Sequence, residues 1–317
     1  MSTPANTFTT FLAKGNREDL GNDIYRIDPT DTPLVSSVDK VKATAVSHDW
    51  QTQALASAST SNAVLEGDDA TTDATTPTVR LSNICQISDK VARVTGTQQA
   101  VDKAGRDDEM DYQVILKGLE LKRDMEAIVL TNQAKVTGDE TTARKLASVL
   151  SWIKTNTDKG TGGAADPSAA DGTGTRTDGT QRAYTEAQLK TVLNSCWSNG
   201  GNPDTVMLGG FNKQVMSSFT GRGTPTEDTG KKKIVAAVDV YESDFGTLKI
   251  VPNRNNPRTR DALVLQMDMW ALAYLRNMKR VPLAKTGDSE RTQLICEYTL
   301  ESRNEKASGG VFDLTTS

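Results

Sequence analysis

The 317-residue chain is poor in the residue types that catalytic centres and membrane spans require. It has one histidine, three cysteines and 5% aromatic residues, and no run approaches the roughly 18 apolar residues of a membrane span. With His48 alone, a Ser-His-Asp or Cys-His centre has a single residue to use, and a zinc site would need other ligands. Cys85, Cys196 and Cys296 are odd in number and far apart, so we expect reduced, half-buried thiols. These shortages exclude a transmembrane protein and indicate no disulfide framework, cofactor or metal site.

Charge is close to balanced, with 37 Lys and Arg against 41 Asp and Glu, which gives a formal net charge of −4. This mild acidity argues against a protein that wraps nucleic acid through bulk positive charge. Hydrophobic residues make up only 36%, beside 24 glycines and 10 prolines, so much of the chain is predicted to be extended or loop-like. The length allows about two packed units. Residues 1–10 lack a basic start and an apolar stretch, so we expect no signal peptide.

The first 97 residues predict a polar arm followed by a projecting hairpin. Residues 1–40 carry small apolar islands interrupted by Pro29 and Pro33, which favour extended structure before them, so we interpret them as an arm lying on another surface. Residues 41–97 place two strand-like segments around a small, acidic tip at 56–79. Their apolar positions are Val41, Ala43, Ala45 and Trp50, then Leu81, Ile84, Ile87, Val91 and Val94. An isolated hairpin is marginal in water, and a neighbouring subunit would bury it.

A long helix is the strongest local prediction. Residues 107–133 contain no proline, one glycine and many good helix formers, and Asp107, Asp108 and Glu109 place negative charge at the positive end of the helix dipole. At 1.5 Å per residue such a helix would be about 40 Å long. It would therefore act as a spine against a partner surface. A shorter amphipathic segment is predicted at 141–156.

The second half of the chain predicts a loop, a compact unit and a final strand. Residues 159–182 are mostly Gly, Thr, Asp and Ala, so we expect a flexible, exposed loop. Residues 183–285 alternate helical and strand patterns, beginning with a capping box at 185–188 (TEAQ), and predict an α/β unit with its own core. The alternation over 292–300 predicts a long C-terminal strand.

The acidic tip is open to two interpretations. Glu66, Asp68, Asp69 and Asp73 resemble calcium ligands, but their spacing does not supply the fixed oxygen positions of an EF-hand loop. They form either a solvated tip or an ion site shared between subunits.

No other motif supports catalysis. The tract at 159–182 lacks the P-loop and dinucleotide-binding patterns, and the glycine pair at 209–210 fits a plain strand-to-helix turn or an anion site. The basic stretches at 231–233 and 254–280 favour solvated faces or ion pairs between subunits, because nucleic-acid contacts usually add aromatic stacking. The chain is therefore predicted not to be an enzyme.

This layout resembles the major capsid proteins of tailed double-stranded-DNA bacteriophages, which have the Hong Kong 97-like fold. The resemblance is carried by specific motifs over about 25–156, and more loosely to about 310. The motifs are 48–52 (HDWQT), 62–69 (NAVLEGDD), 96–101 (GTQQAV), 120–126 (ELKRDME) and 142–148 (TARKLAS).

The resemblance implies an α+β fold with four parts. These are an N-terminal arm (1–40), an E-loop region with its β-hairpin (41–97), a P-domain (98–182 and 286–317) that holds the spine helix and long strands, and an α/β A-domain (183–285). It brings no catalytic residues. The alternatives are the shell of a nanocompartment, or a non-catalytic virion or binding module.

The resemblance also implies partners. We expect the chain to assemble with itself through pentamers and hexamers into the icosahedral head of a virion built in the host bacterial cytoplasm. A separate scaffolding protein is expected, because residues 1–40 contain no long helical extension, together with a portal and a decoration protein. Packaged double-stranded DNA would make weak, nonspecific contact. The expected assembly-interface residues are Trp50, Leu65, Glu66, Arg80, Arg123 and Asp124.

Overall fold

A computed structural model describes residues 27–70, 72–219 and 239–317. Most of the predicted N-terminal arm (1–26) and residues 220–238 of the predicted A-domain lie outside the described residues. The helices are α1 (Pro33–Ser37), α2 (Gly96–Ala100), α3 (Glu109–Leu130), α4 (Val149–Trp152), α5 (Glu186–Ser198) and α6 (Gly210–Ser217). The strands are β1 (Asp39–Lys42), β2 (Ser47–Thr52), β3 (Val79–Ile84), β4 (Gln86–Thr95), β5 (Asn156–Asp158), β6 (Thr205–Leu208), β7 (Val240–Ser243), β8 (Gly246–Pro252), β9 (Ala262–Leu265), β10 (Trp270–Pro282), β11 (Ser289–Ser302) and β12 (Gly309–Val311).

The long strands form a four-stranded sheet in the order β1-β10-β11-β4. β10 and β11 pair antiparallel with Trp270 opposite Ser302, and β11 pairs antiparallel with β4. β1 pairs parallel with β10. The alternation read at 292–300 lies inside β11, where Leu294, Cys296, Tyr298 and Leu300 are buried in the largest core cluster.

The spine helix α3 packs along this sheet. Asp108 caps it by accepting the backbone N–H of Asp111 at 2.9 Å, and its buried residues Leu121 and Met125 join the same core. The helix has 22 residues, or about 33 Å at 1.5 Å per residue, so it is shorter than the predicted 107–133. It ends at Leu130 because Thr131 is extended.

A six-stranded sheet forms the second layer, in the order β5-β12-β9-β6-β8-β7. The predicted capping box at the start of α5 is present, and the Thr185 backbone N–H donates to Gln188 Oε1 at 3.0 Å. The boundaries 183–285 do not enclose this sheet. β5 and β12 join it from outside that range, whereas β10 belongs to the four-stranded sheet, because strand pairing is set by distant partners and not by chain order.

The strands within 41–97 belong to two different sheets, whereas the sequence predicts one hairpin over the whole range. Only β2 and β3 form the hairpin, with Ser47 opposite Ile84 and Thr52 opposite Val79. β1 and β4, on either side, belong to the four-stranded sheet. The chain changes sheet at buried Cys85, whose N–H donates to the Val46 carbonyl at 2.8 Å.

Residues 159–182 are tied to the body by polar contacts, which differs from the predicted flexible loop, whereas about half of the segment is exposed as predicted. Ala165 and Thr177 exchange two backbone hydrogen bonds of 3.1 and 2.9 Å, and the side chain of Arg176 is 1% exposed. Gly172, with φ of +78°, lies where an added Cβ would meet the ring of Trp152 at 3.0 Å. Polar groups and glycines hold this segment, so its lack of apolar residues misled the prediction.

Candidate assembly interface

The hairpin carries a long loop that is exposed along its described length. Beyond the last pair, Thr52 and Val79, the side chain of Gln53 donates to the Thr76 carbonyl at 3.2 Å. Every described residue from 53 to 78 is exposed. At the tip, Val64 and Leu65 are 83% and 80% exposed. Two large apolar side chains in water are unfavourable by about 1.5–3 kcal/mol each relative to burial, so the tip has the composition of a contact surface.

A turn shapes this tip. The backbone N–H of Asp68 donates to the Leu65 carbonyl at 3.2 Å, and Gly67 between them has φ of +84°, a conformation that favours glycine. The turn presents Glu66, Asp68 and Asp69 to solvent directly after the apolar pair. The tip is therefore an apolar and acidic projection.

The base of the hairpin is fixed to its own chain. Trp50 donates from Nε1 to the Ser302 carbonyl at 2.8 Å, and its ring lies 5.4 Å from that of Trp152. Trp50 is thus partly buried within its own chain, and its burial by a neighbouring subunit stays a prediction. This packing sets the direction in which the hairpin leaves the body.

Asn83 on β3 completes the anchor. It is fully buried, and its side-chain amide donates to the carbonyls of Leu300 (2.6 Å) and Ala147 (3.2 Å). Its carbonyl oxygen accepts the N–H groups of Ala147 (2.8 Å) and Ile84 (2.9 Å). One side chain thus satisfies four backbone groups on three segments.

The only histidine of the chain lies at the same base. His48 Nε2 is 2.9 Å from Glu301 Oε2 on β11, and both side chains are largely buried. The hydrogen bond from His48, with a further one from Arg303, holds the pKa of Glu301 below its usual range. The pair links the hairpin to the long strand and is placed for anchoring, and the described residues contain no cluster of metal-ligating side chains.

The remaining predicted interface residues fall into two groups. Leu65 and Glu66 are exposed at the tip. Arg80 instead pairs across the hairpin with Asp49, with Nε to Oδ2 at 3.0 Å, and this contact lowers the pKa of Asp49. Asp124 on α3 pairs within the chain with Lys90 of β4 at 2.7 Å.

Arg123 differs from its neighbour on α3. Within the described part of the chain it forms no ion pair, and it lines a shallow depression of about 360 Å³ with Lys90, Glu120 and Asn255. It is therefore the predicted interface cation that remains available to another subunit.

Besides Asn83, two buried polar residues that sequence reasoning missed hold the parts together. Glu126 of α3 is fully buried and accepts the N–H groups of Leu34 (2.9 Å) and Val35 (2.8 Å) at the start of α1, and the side-chain amide of Asn253 (2.6 Å). Burial raises the pKa of Glu126 against the effect of these hydrogen bonds. The motif at 120–126 contained Glu126, but nothing in it marked that carboxylate as buried.

The second is Arg176, in the middle of 159–182. Its guanidinium lies 2.8 Å from Asp166 and 3.4 Å from the ring centroid of Phe312. Burial lowers the pKa of Arg176, opposed by the nearby carboxylates of Asp166 and Asp261. A buried cation needs such partners, so Arg176 ties the segment to the C-terminal residues.

The chain matches known capsid proteins over almost its whole length. The family model of the SU10 major capsid protein matches residues 3–315. The chain is 29% identical to the major capsid protein of Escherichia phage Phieco32 over 342 residues, which covers 96% of each protein.

Solved structures agree on the fold. A chain of the capsid asymmetric unit of cyanophage A-1(L) is 13% identical with a TM-score of 0.66, covering 97% of this chain and 99% of that one. An encapsulin from Synechococcus elongatus is 11% identical with a TM-score of 0.57, covering 94% and 92%. Identities this low establish the fold alone, which is the Hong Kong 97-like capsid fold with α+β composition.

The described helices include none that is long and apolar enough to cross a membrane. The family consists of structural capsid proteins, and it implies a place in the virion. Because the family model covers almost the whole chain, this protein belongs to the SU10 major capsid protein family and is a structural shell protein of phage heads.

Proposed function

We propose that this chain assembles through pentamers and hexamers into the icosahedral head that encloses a double-stranded-DNA genome, and that its exposed hairpin loop joins neighbouring subunits. The observation that carries the proposal is the loop at 53–78, whose described residues are all exposed and whose tip bears Val64 and Leu65. A subunit gains nothing by holding these side chains in water, whereas a neighbour would bury them.

The parts of the fold have separate roles in this proposal. The part of the six-stranded sheet that lies within the predicted A-domain (183–285), together with α5 and α6, packs around the five-fold and six-fold axes. The hairpin lies over the spine helix α3 of an adjacent subunit, where Arg123 meets charges of the neighbour. In support, Arg123 has no ion-pair partner among the described residues, and the stacked pair of Trp197 and Phe245 is partly exposed at one end of the six-stranded sheet.

Other components complete the head. A separate scaffolding protein, a portal and a decoration protein are the partners we propose beside the chain itself, with assembly in the bacterial cytoplasm. The net charge of −4 supports weak, nonspecific contact with packaged DNA, since a strongly basic lining would bind DNA tightly through counterion release. The shell performs no catalysis in this proposal.

Deletion of residues 56–79 tests the role of the loop. The anchor residues Trp50 and Asn83 lie outside this deletion, so the subunit should stay folded, with unchanged tryptophan fluorescence, and fail to form shells in negative-stain electron microscopy. As a matched control, Leu55→Ser changes an apolar side chain that is 96% exposed on the same loop but outside the tip, and should assemble normally. Particles of normal size from the deletion would refute the proposed role.

A further inference from the structure

A basic depression lies between β1, α1, α3 and the outer edge of β10. Its volume is about 800 Å³, within the range of about 300–1,000 Å³ that is typical of ligand-binding clefts. The half-buried side chains of Tyr274, Leu275 and Met278 line its apolar floor. Its basic lining residues are Lys40, Lys42, Lys122, Arg276 and Lys279.

The positive charge of this depression is not balanced by its own lining. No carboxylate lines it, and of its five cations only Arg276 forms an ion pair with a described residue, Glu297, at 2.7 Å. Lys40 and Lys42 of β1 and Lys122 of α3 are exposed. Because like charges held close together repel one another, an acidic occupant would be favoured.

One wall of the depression is an unpaired strand edge. β1 pairs with β10 only as far as Lys42 opposite Tyr274, and one further hydrogen bond follows, from the Ala43 N–H to the Tyr274 carbonyl at 2.9 Å. From 275 to 281 no described strand pairs with this edge, which leaves about 23 Å of open backbone at 3.3 Å per residue. An open edge pairs with an extended peptide, and the lysines along it disfavour peptides that carry no negative charge.

Irregular pairing on the other side of β10 shapes the floor. The register between β10 and β11 shifts between Tyr274 and Arg276, and again between Arg276 and Lys279. In a regular strand Leu275 and Met278 would point to opposite faces, yet both line the depression. Such bulges re-aim side chains and are frequent beside functional sites, and here they bring two apolar side chains to one floor.

The depression and Arg123 lie on opposite faces of α3. Lys122 and Met125 line the depression, whereas Arg123, Asp124 and Ala127 line the smaller one beside β4. At about 100° per residue these two sets are about 180° apart around the helix. The surface proposed above for the hairpin of an adjacent subunit, around Arg123, therefore does not cover the basic depression.

The chain's own acidic and terminal segments do not match this depression. The carboxylates of the hairpin tip lie on a turn, closed by the hydrogen bond from the Asp68 N–H to the Leu65 carbonyl, with Gly67 at φ of +84°, so the tip is not an extended strand. Residues 1–26 carry three basic and three acidic side chains, which gives them no net side-chain charge to match five cations. We therefore expect the acidic occupant to come from another protein.

We propose that the basic depression is a docking site for an extended acidic segment of a protein other than this chain. The segment adds a strand beside residues 275–281 and places an apolar side chain on Leu275 and Met278. Its carboxylates face the exposed lysines of β1 and α3. Acidic and apolar residues must alternate in the segment, because successive side chains of a strand point to opposite sides. The inference goes beyond the proposed function, since it requires no assembled shell.

Binding of designed peptides to the unassembled, full-length chain tests the site. The probe is a fluorescently labelled peptide of about eight residues that alternates Glu with Val, long enough to span the open edge at 3.3 Å per residue. Its fluorescence anisotropy should rise on binding, with a dissociation constant below about 1 mM. Peptides that replace the Glu residues by Lys, or the Val residues by Ser, should bind about tenfold more weakly or worse. Absence of binding by the Glu/Val peptide would overturn the inference.

A charge-reversal variant tests whether the peptide binds in the depression. K40E/K42E/K122E should weaken binding of the Glu/Val peptide by about tenfold or more. The control variant reverses the charge of three exposed lysines outside the depression, K145E/K249E/K306E, and should bind as the wild type does. Tryptophan fluorescence checks that each variant is folded. Equal weakening by the two variants would overturn the inference, because it would show attraction to net charge alone.

The apolar floor and the strand pairing are tested separately. M278S removes part of the floor without changing charge and should weaken binding of the Glu/Val peptide. N-methylation of alternate peptide residues removes the hydrogen-bond donors along one edge of the peptide. One of the two methylation patterns should therefore abolish binding and the other should leave it intact. Equal binding by both methylated peptides would overturn strand addition, and with it the inference.

Other occupants of the depression would give different results. A peptide of residues 1–26 that binds the wild type but not K40E/K42E/K122E, while the Glu/Val peptide does not bind, would identify the arm as the occupant and overturn the inference. The same result with a short DNA duplex would assign the depression to phosphate and overturn it as well. These measurements do not involve the hairpin loop, so the joining role proposed for it is decided separately, by the deletion of 56–79.

Discussion

Replacement of Asn83 by alanine is the sharpest test of how the hairpin is held. The substitution removes four hydrogen bonds, of 2.6, 2.8, 2.9 and 3.2 Å, in a fully buried position. Each such bond contributes a net 0.5–1.5 kcal/mol, and buried backbone groups left unpaired cost about 1–3 kcal/mol each. Because a water molecule can enter the vacated space and recover part of this, we expect Asn83→Ala to lower the free energy of unfolding by roughly 3–5 kcal/mol.

The assay is urea unfolding of the unassembled subunit followed by tryptophan fluorescence, since Trp50 and Trp152 lie at the same base. Asn83→Asp serves as the paired variant. It keeps both acceptor bonds but cannot donate to the carbonyls of Leu300 and Ala147 when ionised, so it should be less stable at pH 7 than at pH 4 relative to wild type. A loss below about 1 kcal/mol for Asn83→Ala would show that these hydrogen bonds do not hold the hairpin, because surface substitutions already reach about half that value.

Three further predictions concern the polar contacts. Arg176→Met leaves the Asp166 carboxylate without its buried partner, so it should lower the free energy of unfolding by roughly 3–5 kcal/mol and expose 159–182 to limited proteolysis. The control Arg182→Met, at a partly exposed pair, should lower it by about 1 kcal/mol or less. Equal losses of stability would contradict the buried role of Arg176. The hydrogen bond from His48 holds the pKa of Glu301 below its usual range in the folded chain, so the stability that Glu301 adds is present above its unfolded pKa and is lost as pH falls through the folded one. Urea midpoints between pH 6 and pH 3 should therefore fall less steeply for Glu301→Gln than for wild type, and parallel curves would count against this. Shells held by charged contacts should dissociate more readily in 1 M salt, where the Debye length is about 3 Å, and light scattering that shows no salt effect would argue against ion pairs between subunits at Arg123.

Local patterns were enough to predict the elements whose formation depends on nearby residues. The absence of proline and the acidic start of 107–133 marked α3, and the TEAQ box marked the first turn of α5. The alternation at 292–300 marked β11, which is buried on alternate residues before both faces become covered. These signals act within a few residues of each other, so a single sequence contains them.

Contacts between distant residues could not be predicted in the same way. Asn83 bonds to Leu300, which is 217 positions away, and Glu126 bonds to Leu34, 92 positions away. Neither residue differs in type from the many exposed Asn and Glu of the chain. The burial of Arg176 could not be predicted either, because a cation in a glycine-rich tract is usually solvated. In the fold, Phe312 and Asp166 enclose its guanidinium.

The exposed tip was easier to predict than surfaces that several distant elements build together. The small and acidic residues of 56–79 indicated a projection, and the described tip residues are exposed. The basic depression lined by Lys40, Lys42 and Lys122, by contrast, is assembled from α1, β1, α3 and β10, which are spread over more than 200 positions of the chain. Its positive charge becomes evident only when the fold brings Lys40 and Lys122 together.

Negative-stain electron microscopy of the purified chain at raised concentration, with light scattering on the same sample, shows whether the subunit builds a shell. We expect closed icosahedral particles, or discrete pentamers and hexamers, from the wild-type chain and their loss on deletion of 56–79. A monodisperse particle of 34.2 kDa at every concentration and salt level would contradict the claim that this subunit builds a shell through its hairpin loop.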